Sequence, residues 1–379
     1  MNKKIDEIII IGAGMAGLGC AKQIYENKKK FKIITENIGG RIRTSPDGEV
    51  NYGAYYVTED YTNILPYLEK TGKVDFSNSH LHSGKKHYHI ISFKILKHLP
   101  ALIKLFFDLY RFRMYLKKFK KESLIYSREK LIESNNLFKK YYHQKAGDYI
   151  KEKGFEKLVK EYIEQPLWAS FFIDPRKIST AIFLGALQPL IVPSYSFKMN
   201  FDKITKRFKD KIIIDSVIKI IRKKDCFELK TKLGKNYYCK KIVLATPMNI
   251  TNRLVKPQKI NKGINVSFYH IKGEIRKPYD VKGYNFFAVK ETTAISKELN
   301  GTYLYFYTGK DKIDKYFKKW EVITKDSWKP SLFFLGDKYV NINPEPNLFL
   351  ANDHNVPSVE NAFINGIYTA NKIVGKTKD

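Results

Sequence analysis

The first apolar run, Ile8 to Ile11, is unbroken and β-branched, and it ends in glycines. That is the pattern of a strand buried on both faces of a parallel sheet. From Ala16 to Tyr25 the apolar positions fit a helix lying back over the strand, and "FKIITE" follows as a second strand. The chain therefore opens with a βαβ unit of about 30 residues. Between Pro66 and His89 turn residues mix with short strands, including a possible hairpin in "HLHSGKKHYHI". Residues 94 to 169 read as largely helical, with breaks at 122–127 and at Gly154 and a helix ending near Pro166. Strand character returns at "KIIIDSVIKII", "FELKTKL" and "KKIVLAT", then as alternation in "INVSFYHIKGEI" and "GTYLYFYTG"; a last helix spans Val359 to Val374. There is no repeat and no low-complexity linker. Both ends of the chain read as parts of a nucleotide domain, with a different domain inserted between them.

Composition changes this picture in three places. A length of 379 residues suggests about two domains, and 14% aromatics is rich for a chain that needs only a core, which admits a large flat ligand or a lipid. Lys+Arg 69 against Asp+Glu 38 gives a net charge of +31, enough for long-range attraction to an anionic partner that salt would weaken. Lysine bias of the genome, with the lysines in water, explains the same number. Cys20, Cys226 and Cys239 are scattered and odd in number, which argues against a disulfide framework or a cysteine metal site and fits a reducing, cytoplasmic compartment. The start "MNKKIDE" leads into a strand and a glycine turn, not a secretory signal. No apolar run reaches the roughly 18 residues of a bilayer-spanning helix.

The chemistry begins at the first turn. Gly12, Gly14 and Gly17, with Met15 and Ala16 between the last two, form GxGxxG between strand and helix. The first glycine permits the tight turn, the second lets the backbone approach a pyrophosphate, and the third lets helix and strand pack closely. Glu36 closes the second strand, placed to accept hydrogen bonds from an adenosine ribose and to repel a 2′-phosphate. A second phosphate clamp follows in Ile38-Gly39-Gly40-Arg41, where two glycines again permit close approach and Arg41 offers a planar fork of donors.

With these residues the sequence resembles the FAD-dependent amine oxidase and phytoene desaturase superfamily, which includes protoporphyrinogen oxidases. The resemblance implies that the Gly-Gly-Arg segment lies near the FAD pyrophosphate. It recurs in "NLFLANDHNVPSVENAFINGIYTANKIV", which looks like that family's strand, Gly-Asp turn and closing helix. Asp353 would then bond the ribitol chain, and the helix opening at Val359, N-capped by Ser358, would aim its amides at the flavin ring. "KKIVLATP", with Ala245, would return to the nucleotide domain, and Val217 would contact adenine through its backbone. Departures from the family pattern fall at Asn352, at Asn361, at Lys198-Met199-Asn200 and at Asn51-Tyr52-Gly53-Ala54, where Gly53 and Ala54 keep the small residues. Each added side chain either crowds the ring or faces elsewhere. A rival "FLGD" at 334–337 keeps the literal Gly-Asp but has no prompt closing helix. No cysteine lies near the C-terminal motif, so noncovalent FAD is implied, and no second fingerprint for a nicotinamide is present.

In "KHLPALIKLFFDLYRFRMYLKKFKK", Lys97, Lys104, Arg111 and Lys118 recur at intervals of seven and form a basic stripe, with Leu102, Ile103, Phe106, Leu109 and Tyr110 broadly opposite. Such a helix suits an anionic membrane interface; the alternative is a helix packed on the protein with its lysines in water. Pro100 could shorten it. Nucleic acid is not expected, because no recognised module accompanies the charge. His80, His82, His87 and His89 could converge on one hairpin face, but no carboxylate or cysteine completes a ligand set, and no metal is expected. Trp168, Phe171, Phe172, Tyr195 and Trp328 are candidates for a pocket wall or for plain core. No catalytic triad can be argued from order or spacing, and no catalytic residue is assigned.

The resulting expectation is an α/β protein with a Rossmann-type FAD-binding domain and an inserted α+β substrate domain. FAD-domain parts are placed at 1–75, 201–255 and 331–379. The substrate domain takes 76–200, with the membrane-associated segment at 94–121, and a sheet at 256–330. The expected function is hydride transfer from a hydrophobic, isoprenoid- or polyene-like substrate to flavin N5. Alternatives are a flavin-dependent amine oxidase, a flavin-dependent lipid isomerase without net redox, and a non-enzymatic lipid-binding protein with a degenerate flavin site. A cytoplasmic location is expected, peripheral on the inner face of a membrane if the basic helix is interfacial; the oligomeric state is not assigned.

Overall fold

The computed structural model describes the chain except residues 1–3, 85, 257, 259–262, 290, 292 and 333–338. The rival "FLGD" turn thus lies outside the described residues. A seven-stranded sheet forms the nucleotide domain. Its centre is the strand Ile5–Gly14, paired in parallel with Phe31–Gly39 on one side and Asn236–Leu244 on the other. Ile9 and Ile10 are fully buried, as a strand covered on both faces requires.

The strand Asn236–Leu244 joins the parts of this domain. Its first half pairs antiparallel with Phe227–Thr231, and its last three residues pair in parallel with Leu348–Leu350. The C-terminal segment thereby enters the sheet at the carboxyl end of the central strands. It continues into the closing helix, Val359–Ile373, which packs along the opening helix, Met15–Glu26. The two helices touch closely at Gly366, where an added Cβ would stand 2.0 Å from the Ala16 carbonyl oxygen.

The inserted part is a second seven-stranded sheet capped by helices. This sheet is antiparallel except where Tyr284–Phe287 runs parallel to His80–Ser83. The hairpin expected in the histidine stretch is its edge, with His80–Ser83 facing Lys86–His89. A three-stranded sheet, Val57–Thr58, Ser194–Met199 and Leu68–Lys73, bridges to the nucleotide domain.

Two readings of the helical region need correction. The helix expected to end near Pro166 continues through it, Glu164–Phe171 following directly on helical turns from Glu156. Pro166 is tolerated because it sits in the first turn after a π-helical stretch, Val159–Ile163, that already loosens the regular bonding. The long helix, Leu99–Glu122, carries Pro100 harmlessly in its first turn. Its expected single apolar face is in fact two. Leu105, Leu109, Phe112 and Phe119 are buried, whereas Ile103, Phe106 and Tyr110, which the sequence pattern groups with Leu109, are exposed.

Candidate cofactor site and adjoining chamber

One cavity of about 1020 Å³ runs through both parts of the molecule, at the upper end of the range for ligand pockets. It begins at the carboxyl ends of the parallel strands, where open α/β sheets bind their ligands. Glu36 lies at that end with Asp215, Ser216 and Val217. The middle is lined by Gly12, Gly14, Met15 and Ala16 of the first turn, Gly39, Gly40 and Arg41 of the second, and Ala245. Gly53, Ala54, Asn352, Asp353 and Val359 line it further on.

Gly17 is the exception among the expected site residues, for it does not line the cavity. An added Cβ there would meet the Gly12 carbonyl oxygen at 1.9 Å, so its part is helix-to-strand contact. Gly14 is the opposite case. A Cβ there would meet nothing nearer than the Gly40 Cα at 4.0 Å, so bareness at Gly14 is not needed for packing and leaves the backbone open to the cavity. Gly39 and Gly40 adopt φ of 96° and 60°, which turn the chain sharply past that strip.

Thr35 is a residue that sequence reasoning missed. Its hydroxyl accepts from the Ala13 amide at 3.0 Å and donates to the Asn37 carbonyl at 2.6 Å, tying the second strand to the glycine turn. Arg41 donates to the Ser331 carbonyl at 2.6 Å and lies 3.4 Å from Asp353, which brings the second turn against the C-terminal motif. Asp353 and Arg41 also flank His354, whose imidazole is pushed down to about 4 by burial.

The departures from the family pattern resolve residue by residue. The Asn51 amide donates to the Phe197 carbonyl, Asn200 caps a helix by accepting from the Lys203 amide, and Asn352 accepts from the His354 amide. Asn200 and Asn352 are thereby occupied locally, whereas Asn51 keeps a buried Oδ1 without a partner among the described residues but does not line the cavity. Asn361 is different: the residue lines the cavity, and its buried side-chain oxygen has no hydrogen-bond partner among the described residues. Asn249, another lining residue, likewise has a buried side-chain oxygen without a partner among the described residues. Orphaned buried acceptors are rare in native structures. Together with the bare glycine strip, the fork at Arg41 and the carboxylate at Glu36, they fit a long ligand that has phosphates and its own donors. The residues present fit FAD.

Behind Asn361 stands Arg128, buried, with its Nε unpartnered and its guanidinium donating to the Asn361 carbonyl. Burial pulls its basicity down to about 10, with Asp353 and Tyr142 opposing that pull. Neither Arg128 nor Asn361 sits in a motif whose spacing could have announced the contact, since they lie 233 positions apart.

On the side of the inserted domain the same cavity is lined by aromatic side chains and forms a chamber. Tyr52, Tyr55, Phe172, Phe306 and Trp328 line it from one packed cluster, and Phe171 lines it from another. Trp328 also lies under the Arg43 guanidinium, 4.8 Å from the ring centroid. Of the aromatics proposed as pocket wall, Trp168 and Tyr195 do not line it. Trp168 donates to the Glu291 carbonyl at 2.6 Å, and Tyr195 donates to Glu59 and covers Lys70. The chamber holds little free negative charge. Asp60 is held by Arg113 at 2.7 Å and by Lys117 at 3.2 Å, and Lys120 lines the same wall. Burial lowers the Lys120 ammonium, with Glu360 and Asp60 opposing.

The four-histidine hairpin is elsewhere. His82 is bonded to Asn285 at 2.8 Å and stacked on Phe287, and burial pushes it down to about 4. Among the described residues no group of three His, Cys, Asp or Glu side chains could hold a metal ion.

Fold and cavity together define a class: a dinucleotide-binding domain closed by its own C-terminal helix, carrying an inserted α+β domain that shares the ligand cavity. Comparisons with known proteins agree. Residues 10–71 match the family model of the NAD(P)-binding Rossmann-like domain. Solved structures share the fold over nearly the whole chain. A putrescine oxidase bound to putrescine aligns with a TM-score of 0.67 at 13% identity, covering 98% of this chain and 100% of its own. The cyclohexylamine oxidase of Brevibacterium oxydans aligns at 0.68 and 12% identity, covering 98% and 99%. A candidate protoporphyrinogen oxidase from an Exiguobacterium species aligns at 0.64 and 13%, also covering 98% and 99%. No curated protein matches the chain.

Proposed function

We propose that the protein is a flavin-dependent oxidoreductase that binds FAD noncovalently in the cavity and oxidises a small, largely apolar substrate held in the aromatic chamber. The observation that carries this is the continuity of one cavity past Glu36, the two glycine turns, Arg41 and the start of the closing helix, and on into the chamber. Bound FAD would supply a hydride acceptor. The chain's own residues do the rest. Bare backbone at Gly14 and Gly40 admits the diphosphate, Arg41 neutralises it, and Glu36 holds the ribose hydroxyls. Tyr55, Phe306 and Trp328 exclude water and orient the substrate's apolar body.

Two observations bear on the substrate. The solved neighbours named for amine substrates favour a carbon that carries nitrogen as the hydride donor. The chamber favours a bulky apolar amine or an uncharged lipid over a small dication, because Asp60 is already paired and Lys117 and Lys120 face the same space.

Absorbance of the purified protein tests the cofactor: flavin bands, or their appearance on adding FAD, are expected, and a colourless protein that FAD cannot reconstitute would leave a lipid-binding protein. Anaerobic bleaching then sorts substrates. Bleaching by hydrophobic amines supports amine oxidation, bleaching by polyenes supports desaturation, and turnover without bleaching points to isomerisation.

A further inference from the structure

The long helix has a job that its buried face does not explain. Leu99, Ile103, Phe106, Phe107, Tyr110 and Met114 are all exposed, Phe107 to 72%. They succeed one another at intervals of three and four, so they form one continuous strip on one face, about 22 Å long at 1.5 Å per residue. The turn that leads into the helix extends the strip with Ile91 and Leu96 and with Phe93, which is 92% exposed. An apolar surface of this kind on a folded chain marks a place where something docks.

Charge decides what docks there. Lys104 and Arg111 flank the strip and have no ion pair among the described residues, whereas Lys97 is paired with Glu161 at 2.7 Å. Asp108, the one acid between positions 97 and 121, is turned into the protein, where it accepts from Tyr149 at 2.7 Å and meets Lys153 at 3.0 Å. The face therefore presents apolar side chains beside uncompensated cations. A second copy would set those cations against their equals, and an apolar protein groove would leave them idle. An anionic bilayer satisfies both, the rings entering the acyl boundary and the cations meeting the headgroups.

We propose that this face seats the protein on an anionic membrane surface, as a peripheral contact. No described helix is long and apolar enough to cross a membrane. The same helix continues into the chamber wall through Phe112, Leu116 and Lys120. On the reading of the chamber given above, an apolar substrate would reach it from the bilayer side.

Flotation of the full chain with vesicles of phosphatidylcholine and phosphatidylglycerol in equal parts, against phosphatidylcholine alone, tests the proposal. Preferential flotation with the anionic vesicles is expected. Phe93→Ser with Phe107→Ser should reduce it at least tenfold, and Lys104→Glu with Arg111→Glu by on the order of a hundredfold at low salt. These side chains are exposed, so circular dichroism and flavin content should not change, and both are read on the same samples. Equal recovery with both vesicle types, or flotation untouched by either double variant, would overturn the proposal. So would a concentration-dependent dimer that the serine variants abolish. Flotation does not depend on flavin, so a colourless protein that still floats would fail the functional reading alone, and a yellow one that stays at the bottom would fail this one alone.

Discussion

The two ends of the cavity are built on different principles. At the end built from the glycine turns the wall is backbone, kept bare by glycines that either pack tightly, as Gly12 does, or stand open to the cavity, as Gly14 does. At the chamber end the wall is large side chains, whose identities can change while the volume is kept. The first kind of wall admits a ligand only where its backbone stays bare; the second sets a size and polarity and leaves the choice of substrate open. The difference predicts opposite responses to mutation.

The largest effect should come from Gly17→Val. Its Cβ would fall 1.9 Å from the Gly12 carbonyl, against backbone that cannot step aside. A loss of about 3 kcal/mol or more is expected, measured by chemical denaturation and accompanied by loss of flavin binding. A variant as stable as the parent would show that the opening helix can shift, contrary to the packing described.

Acid comes next, acting at one end of the cavity and at the hairpin outside it. Burial pushes His354, beside the second glycine turn, and His82, in the edge hairpin of the inserted sheet, down to about 4. An unfolded chain takes up those protons near pH 6.5. The unfolded state thus binds more protons between those values, so stability is full above about pH 6.5 and declines as the pH falls toward 4. Each histidine accounts for on the order of 2–3 kcal/mol of that decline. Thermal melts across this window check it. Replacing His82 by Phe, which keeps the stacking on Phe287, should flatten the lower part of the curve, and an unchanged slope would count against a neutral buried His82.

Gly14→Ala separates ligand from fold. The new methyl meets only Gly40 at 4.0 Å, and φ is an ordinary −71°. Stability should stay within about 1 kcal/mol of the parent, while affinity for FAD, read by fluorescence quenching, should fall at least tenfold because the methyl stands where the diphosphate would lie. Unchanged affinity would place the diphosphate elsewhere.

The same contrast explains what could be read from the sequence. Glycine turns are local: strand, GxGxxG, helix and Glu36 fall within a few dozen positions, so their order already implies a dinucleotide turn. The C-terminal strand and helix were legible by resemblance, because "NLFLANDHNVPSVENAF" keeps the order of the motif. Contacts between distant positions had no such signal. Thr35 is one threonine in a strand until Ala13 is placed beside it, and the Arg128 contact to Asn361 depends on two helices meeting. The long helix misled for a related reason. Periodicity shows that a helix has apolar faces and cannot say which one the protein covers, so Phe106 and Leu109 looked equivalent.

The smallest effect should come from Asn361→Gly, and it bears most directly on whether this departure crowds the ligand or serves it. Without ligand, removing the amide relieves a buried acceptor that lacks a donor, a gain of about 1–3 kcal/mol. Glycine costs roughly 0.3 kcal/mol more than asparagine in a helix, and the lost side-chain volume costs about 1 kcal/mol more. The net change is small, so the apo protein should melt within a few degrees of the parent. Ligand breaks the tie. If the Asn361 oxygen accepts from bound FAD, the variant loses a hydrogen bond made in a buried site, and its affinity should drop by about tenfold with a shift in the flavin absorbance bands. If the side chain only occupies space, glycine should bind FAD more tightly than asparagine does. Titration of both proteins with FAD distinguishes the cases by the sign of the change, and the unpartnered oxygen on the cavity wall favours the loss.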